Sequence, residues 1–484
     1  MKKLIILSII LLFSFQNQAQ NWIEPTFVTK TSGGYLDPEF CIDHEGVIHC
    51  VWQEVYNTDY SQIFYCNSHD NGLTWSDAIN ISQNNEYRVS NPHIVCDSEK
   101  NLHLSYDYNS MSVTAIQVYY HMFNGEEWSE PIALTPYTTK SRSNKIFIDY
   151  NDRVYCFWYK AVNNGTCSYM YKDSDSDSWS DVITPYNNNE YHFFNDAVVD
   201  SENNLHWIGN HHYQNEGNYD IKPIYFYYDY ENNEWSDFEK FGEHYAWIGF
   251  DIDLDNNESP HLVWQEYIPQ GGEPPLSTTY YNAQNEDGLW DIPTYLGEGR
   301  NNQRIIIDYQ NRPNVFHREK IEIEDRWIIV HYYKNNMNWE SSIFPMENSI
   351  NQFEILKQDM TINMVFTAIT AFDNNMKNVM FTRTDMINRI SPQEKPNSFE
   401  ISPNPSNQIF NINFFLENEE LVNIKIYNMQ GELIKTLYDG KMLSGNHQIN
   451  WDPLDEGNQF NSGVYIVRLQ AAQSISTQKI EFIR

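Results

Sequence analysis

Ser68-His69-Asp70-Asn71-Gly72-Leu73-Thr74-Trp75 joins a turn signal, Asn71-Gly72, to a tryptophan that is one of a series. Trp22, Trp75, Trp128, Trp179, Trp235, Trp290 and Trp339 follow one another at intervals of 49 to 56 residues. Glu24, Asp77, Glu130, Asp181 and Asp237 each stand two places after one of them. A second series, His49, His103, Tyr155, His206, His261, Asn314 and Asn363, runs beside the first at 49 to 55 residues. Two series of seven at one period mark an internal repeat.

Within a period, four β-prone runs alternate with turn residues, as in Asn91 to Cys96, Leu102 to Tyr106, Ala115 to His121 and Glu127 to Leu134. Four antiparallel strands about every fifty residues is the pattern of a propeller blade. The last period, Gln352 to Arg383, lacks a tryptophan strand, while the chain opens with an orphan one at Asn21 to Thr29. The expectation is an all-β, seven-bladed propeller whose N-terminal strand completes the last blade and leaves no open sheet edge.

The chain has 484 residues, 41% of them apolar and 15% aromatic, which suffices for a core but exceeds one domain. Lys plus Arg number 31 against 66 Asp plus Glu, for a formal charge of −35. A field of that sign repels phosphate backbones and anionic lipid, so nucleic-acid and membrane-surface binding are excluded as general functions. Lys2 and Lys3 precede an apolar run from Leu4 to Phe15 that is too short to span a bilayer. It reads as a secretory signal, residues 1–19, cleaved after Ala19. The propeller is expected over residues 20–390. Pro392, Pro396, Pro403 and Pro405 place a linker at 391–398 and a small domain of alternating strands, an Ig-like β-sandwich, over 399–484.

That last segment carries a resemblance. Ile401-Ser-Pro-Asn-Pro-Ser406, Ile424-Lys-Ile-Tyr-Asn-Met-Gln-Gly431, Ser462-Gly-Val-Tyr-Ile-Val-Arg-Leu469 and Thr477-Gln-Lys-Ile480 resemble, in order and spacing, the type A C-terminal sorting domain of the type IX secretion system. The resemblance implies export through the periplasm to the outer surface of a Bacteroidetes-type bacterium or beyond, with the secretion machinery as partner. The stretch from Ser68 to Trp75 is similar to the Asp-box of sialidase-like (BNR) propellers, S-x-D-x-G-x-T-W, and that resemblance implies a structural turn between third and fourth strands.

Candidate chemistry comes from places where the repeat breaks, because packing should recur in every blade and function should not. His49, His103, His206 and His261 share one repeat position and read as structural. Three residues on, Trp52, Tyr106, Trp158, Gly209, Trp264, His317 and Phe366 are equivalent, and Gly209 and His317 depart from the aromatic pattern. Gly209 precedes His211 and His212, and Arg318 and Glu319 follow His317. Loops entering the first strands bring Arg88, Arg142, Tyr191, His192, His244, Arg300 and Arg304. Arginine, histidine and tyrosine on one face suit β-elimination from a uronate, with the cation on the carboxylate and His or Tyr moving protons. The expected catalytic set is His211, His212, Tyr191, His192 and Arg300, with Arg88, Arg142, His244, His317 and Arg318 binding substrate. In residue types this is similar to seven-bladed polysaccharide lyases. The expected function is binding, and by β-elimination cleavage, of an acidic polysaccharide; the alternative is a non-catalytic glycan-binding or adhesion propeller. A carboxylate pair drawn from Glu54, Asp107 and Glu266 would instead serve a hydrolase.

No cofactor is expected. Asp173-x-Asp175-x-Asp177 and Asp251-x-Asp253-x-Asp255 alternate as calcium ligands do, without the glycine and distal glutamate of an EF-hand. Cys41, Cys50, Cys66, Cys96, Cys156 and Cys167 all lie in the first three periods, and their spacing fixes no pairing.

Overall fold

The computed structural model describes residues 22–384 and 400–482, apart from 31, 84–86, 110–114, 139, 161–165, 186–190, 216–217, 247–248, 271–272, 286, 300–301, 322–323, 325, 336–337, 345, 347–348, 359–360, 370–376, 405, 407–408, 417–419, 429–432, 444, 455–459, 461 and 472–473. The expected signal peptide and linker therefore lie outside the described residues. The chain divides into two compact units, residues 1–386 and 387–484.

The described elements of the first unit are strands in seven antiparallel sheets, one per sequence period. Sheet one holds Tyr35–Ile42, Ile48–Val55, Ser61–Ser68 and Ile79–Asn80; sheet two starts at Arg88–Cys96, three at Ser141–Ile148, four at Tyr191–Val199, five at Asp251–Leu254, six at Arg304–Ile307 and seven at Ser349–Gln358. Strands pair in chain order within each sheet, and Thr26–Phe27 pairs with Lys377–Arg383 at the edge of sheet seven. The first strands touch in succession, and that of sheet seven touches that of sheet one. Such propeller-like packing buries both faces of every sheet, which is why second strands such as Ile48–Val55 and Thr361–Ile369 are almost continuously buried.

The two sequence ladders meet in space. His49, His103, His206 and His261 each place Nδ1 2.7–2.8 Å from a tyrosine hydroxyl on the third strand, Tyr65, Tyr120, Tyr225 and Tyr281. Their Nε2 atoms face Asp43, Asp97, Asp200 and Asp255 at 3.5, 3.3, 3.2 and 3.8 Å. A carboxylate needs a donor, so Nε2 carries the proton and Nδ1 accepts from the tyrosine. Each aspartate also closes the turn between first and second strands, as Asp97 does by accepting from the N–H groups of Glu99 and Asn101. The tyrosines then pack edge-on against the tryptophan of the following sheet, Tyr65 on Trp128, Tyr120 on Trp179, Tyr225 on Trp290 and Tyr281 on Trp339, at 4.8–5.3 Å. Trp75 meets Phe381 of sheet seven, and Trp22 meets Phe316 and Phe344 of sheet six.

The opening stretch is a self-contained turn. Asp70 accepts from the N–H and hydroxyl of Thr74 and from the Ser68 hydroxyl, and these bonds hold its carboxyl down at about 2. Gly72 has φ +81°, and a Cβ there would overlap the Phe381 ring. Cys41 and Cys96 form a disulfide between the first strands of sheets one and two, while Cys50, Cys66, Cys156 and Cys167 are buried thiols.

The second unit has a three-stranded sheet, Glu400–Ser402, Phe410–Leu416 and Gly445–Trp451, and a four-stranded one, Leu433–Met442, Glu420–Asn428, Gly463–Ala471 and Ser474–Phe482. Phe410, Ile412, Ile424, Trp451, Val467 and Ile480 form their common core.

Candidate functional site

Four residues before the turn aspartate, every first strand of the first unit presents a titratable side chain: Glu39, His93, Lys145, Asp196, Asp251, Arg304 and, at the equivalent place, Glu354. All except Arg304 line one axial cavity of 390 Å³, and Arg304 lines a smaller one of 170 Å³ beside Glu39, His93 and Glu354. The strands bulge just ahead of this position in sheets one, two, three, four and seven. Asp37, Asn91, Ser143, Gly249 and Asn302 adopt positive φ there. The extra residue re-aims the side chain toward the axis. Asp107 holds two of these bulges, accepting from Asn91 Nδ2 at 2.6 Å and Ser143 N at 2.9 Å, so its carboxylate is committed to structure.

The axial groups pair across sheets. His93 Nδ1 lies 3.2 Å from Glu39, Lys145 Nζ 3.2 Å from Asp196, and Arg304 grips Glu354 with Nε at 2.8 Å and Nη2 at 2.7 Å. Burial alone would raise the Glu39 carboxyl, but the charges and hydrogen bond of its cationic neighbours, His93 foremost, hold it at about 2. Burial likewise opposes charge on Lys145 and Arg304, and the surrounding carboxylates outweigh it and push both upward. Among the described residues no cation forms an ion pair with Asp251, and the charge of Arg304, already gripped by Glu354, only partly offsets its surroundings. Burial, and then the negative charge of Asp196, push the Asp251 carboxyl well up, and it accepts a 2.6 Å bond from Ile305 N. Asp251 thus stands beside Asp196 in a setting where burial and like charge both disfavour its ionised form. Sequence reading missed this ladder because it aligned residues by identity; the fixed offset from the turn aspartate was the available signal.

The residues singled out from sequence separate into several places. His211 is buried against Phe238, with ring centres 5.1 Å apart, and His212 Nε2 is 2.9 Å from Asn210 Oδ1. Burial drives the His212 imidazole down to about 4. Neither lines the axial cavity. Backbone pairing sets Tyr191 opposite His212 and His192 opposite His211. Arg300 lies outside the described residues. Arg88 is exposed, and Arg142 is exposed with its guanidinium over the Tyr159 ring at 5.7 Å. Glu54 is half-buried beside the stacked Tyr56 and Tyr60, and burial raises its carboxyl. Among the described residues no group of three metal-ligating side chains converges. Asp251, Asp253 and Asp255 accept from the backbone N–H groups of Ile305, Ile307 and Asn257, and Asp173 pairs with Arg153.

His317 and Arg318 are neighbours on one strand and therefore face opposite ways. His317 is fully buried toward sheet five, with Nδ1 2.7 Å from Thr279 Oγ1 and Nε2 3.0 Å from Glu319 Oε1. Burial, then the charge of Glu319, raise the Tyr332 hydroxyl, which is hydrogen-bonded to that carboxylate. Arg318 points the other way, 8% exposed, its guanidinium 4.6 Å over Trp327. Its Nε has no hydrogen-bond partner, and among the described residues no carboxylate pairs with it. Burial pulls its pKa down to about 10. Lys377 is lowered too, by burial and then, against the pull of Asp37, by repulsion from Arg318.

Residues 400–482 match the family model of the secretion system C-terminal sorting domain. No curated protein matches the sequence. Among solved structures the chain is similar to an ulvan lyase of polysaccharide lyase family 25, with 10% identity and a TM-score of 0.56 over 73% of this chain and 95% of that one. An ulvan lyase of that family bound to a glucuronate–rhamnose-3-sulfate repeat gives 10%, 0.55, 73% and 95%, and a further polysaccharide lyase gives 7%, 0.51, 76% and 92%. At such identities the likeness is one of fold. No helix among the described residues is long and apolar enough to cross a membrane. The chain is thus an all-β protein, propeller-like in its first unit, whose sorting domain sends it by type IX secretion to the cell surface or beyond.

Proposed function

We propose that the seven sheets are blades of a closed propeller, residues 20–390, latched by the N-terminal strand, and that the ring binds an acidic polysaccharide. The observation that carries this is Arg318. In a chain of net charge −35, Lys145, Arg153, Arg304, Arg312 and Arg326 each have a carboxylate partner, whereas Arg318, the one buried arginine among the described residues, has none there. An uncompensated buried guanidinium is costly, and the carboxylate of a uronate or a sulfate ester would supply the missing charge in a planar, bidentate geometry. Lys377 adds a second positive charge nearby. Titration calorimetry with a glucuronate oligosaccharide tests the reading: Arg318→Ala should weaken binding at least tenfold, about 1.5–3 kcal/mol for a charged hydrogen bond. Equal affinity in the variant removes Arg318 from the site.

Cleavage is the second reading, favoured by the His317–Glu319–Tyr332 chain. In β-elimination a base takes the proton α to the carboxylate, that electron pair forms the new double bond, and the glycosidic oxygen leaves with a proton from an acid. Tyr332 is suited to one of these transfers, and His211, His212, Tyr191, His192 and Arg300 form the alternative set. Incubation with uronate polysaccharides, followed at about 235 nm for the unsaturated product, decides between them through Tyr332→Phe and His212→Ala. Absence of product throughout leaves a non-catalytic glycan-binding or adhesion propeller.

A further inference from the structure

We infer that the cavity between sheets four and five binds a neutral sugar. It measures 600 Å³, within the range that holds small ligands, and differs in chemistry from the Arg318 region. One part of its wall is aromatic, from Phe241, Tyr280 and Trp290, with the Phe241 and Trp290 rings 4.8 Å apart and edge to face. The rest is mainly acidic, with Glu239, Glu243 and Asp291 at the exposed rim and Glu266 at depth, against Lys240 as the one lysine and His244.

Glu266 is 2% exposed and held in place by two donors. Its Oε1 accepts from the Trp264 indole at 2.9 Å and its Oε2 from the backbone N–H of His244 at 3.2 Å. A carboxylate accepts about four donors, so acceptor capacity is left over. The chain approaches it through Gly242, at φ +72°, where a Cβ would overlap Glu266 Oε1. Four carboxylates against one lysine leave a negative wall that repels a uronate or a sulfate ester, whereas carboxylates accept from hydroxyls, and aromatic rings pack against the apolar face of a pyranose. An uncharged polyhydroxyl ring satisfies both parts of the wall. The inference rests on the glycan reading above and names the unit that stands between charged sugars in an acidic polysaccharide.

Saturation-transfer NMR on the full exported chain, with D-xylose, D-galactose, L-rhamnose and D-glucuronate as separate probes, tests it. At least one neutral sugar should receive saturation. Glu266→Gln should weaken that binding fivefold or more, and Glu243→Ala, at an exposed position that does not threaten folding, by a smaller factor. Both variants should leave glucuronate binding unchanged, and Arg318→Ala should leave the neutral sugar bound. No transfer to any neutral sugar, or neutral-sugar affinity equal in both acidic variants and the parent, overturns the inference. Glucuronate binding that survives Arg318→Ala overturns the anion reading while leaving this one standing.

Discussion

Two ladders run round the same seven sheets and obey different rules. In the outer one identity repeats: aspartate, histidine and tyrosine recur in sheets one, two, four and five, and each tyrosine meets the next sheet's tryptophan. In the axial one only the position repeats, and the residues read Glu39, His93, Lys145, Asp196, Asp251, Arg304, Glu354. The physical reason is the range of each contact. An outer rung touches its own sheet and one neighbour in the same geometry each time, so a packing solution that works once works everywhere. The axial groups share one confined space where seven like charges could not coexist, so each must answer its neighbours. Packing in a repeat is local; electrostatics at its axis is collective.

The largest effect should come from removing a whole rung. Deleting residues 21–29 takes away the strand paired at Thr26 and Phe27 and the Trp22 contact with Phe316 and Phe344. A core tryptophan is worth about 3–5 kcal/mol and the partly buried Trp22 contributes less than that, while the loss of buried Val28 and the exposed sheet edge add to the effect. Thermal unfolding should drop as one cooperative transition. An unchanged melting temperature would show that sheet seven does not depend on its N-terminal strand.

Next comes the axis. Arg304→Ala leaves Glu354 buried without its partner and should cost about 3–5 kcal/mol in denaturant unfolding. Arg304→Met with Glu354→Met removes both charges and should recover most of that loss. A double variant as unstable as the single one would mean that the pair acts through packing, and the contrast between the ladders would fail.

The outer ladder predicts equivalence. His103→Ala and His206→Ala each sever an aspartate–histidine–tyrosine chain, at about 1–3 kcal/mol, and should agree with one another within about 1 kcal/mol. Glucuronate affinity per folded molecule should not change. A large difference between the two sites would show that equal residues at equal positions are not doing equal work.

The same contrast explains what the sequence made legible. Trp75, Trp128 and Trp290, like His49 and His103, announce themselves because one packing demand selects one residue type. The sorting domain was readable for a related reason, four blocks of fixed residues at fixed spacing. The axial ladder was hidden, since Lys145 and Asp196 look unrelated until both are counted back from Asp149 and Asp200. Arg318 was noticed as a companion of His317, yet strand alternation puts them on opposite faces, a consequence of period two that was available from sequence. Gly209 is the repeat-breaking residue near His211, but the ring that packs on His211 is Phe238, at a place after Trp235 where the equivalent positions after Trp75, Trp128 and Trp179 hold Ala78, Pro131 and Val182, so the repeat does not announce it.

The smallest effect is the one that tests the axis most finely, through the carboxyl that forms no ion pair among the described residues. Asp251 keeps its proton in the folded chain to a pH where an unfolded aspartate, with a pKa of about 3.9, has lost it. Between those two values the folded state binds more protons than the unfolded one, so stability falls as pH rises through the window, by at most about 1.4 kcal/mol per unit, and levels off above the folded value. Asp251→Asn keeps the arrangement without the proton: the amide oxygen can accept from Ile305 N, and the amide nitrogen can donate to Asp196. The variant should therefore match the parent near pH 4 and exceed it by a growing margin as pH rises, until the margin levels off where the folded carboxyl ionises, as measured by chemical denaturation at a series of pH values. Parallel curves would mean that Asp251 is ionised in the folded protein, and the axial ladder would then need a different account of how Asp196 and Asp251 stand side by side.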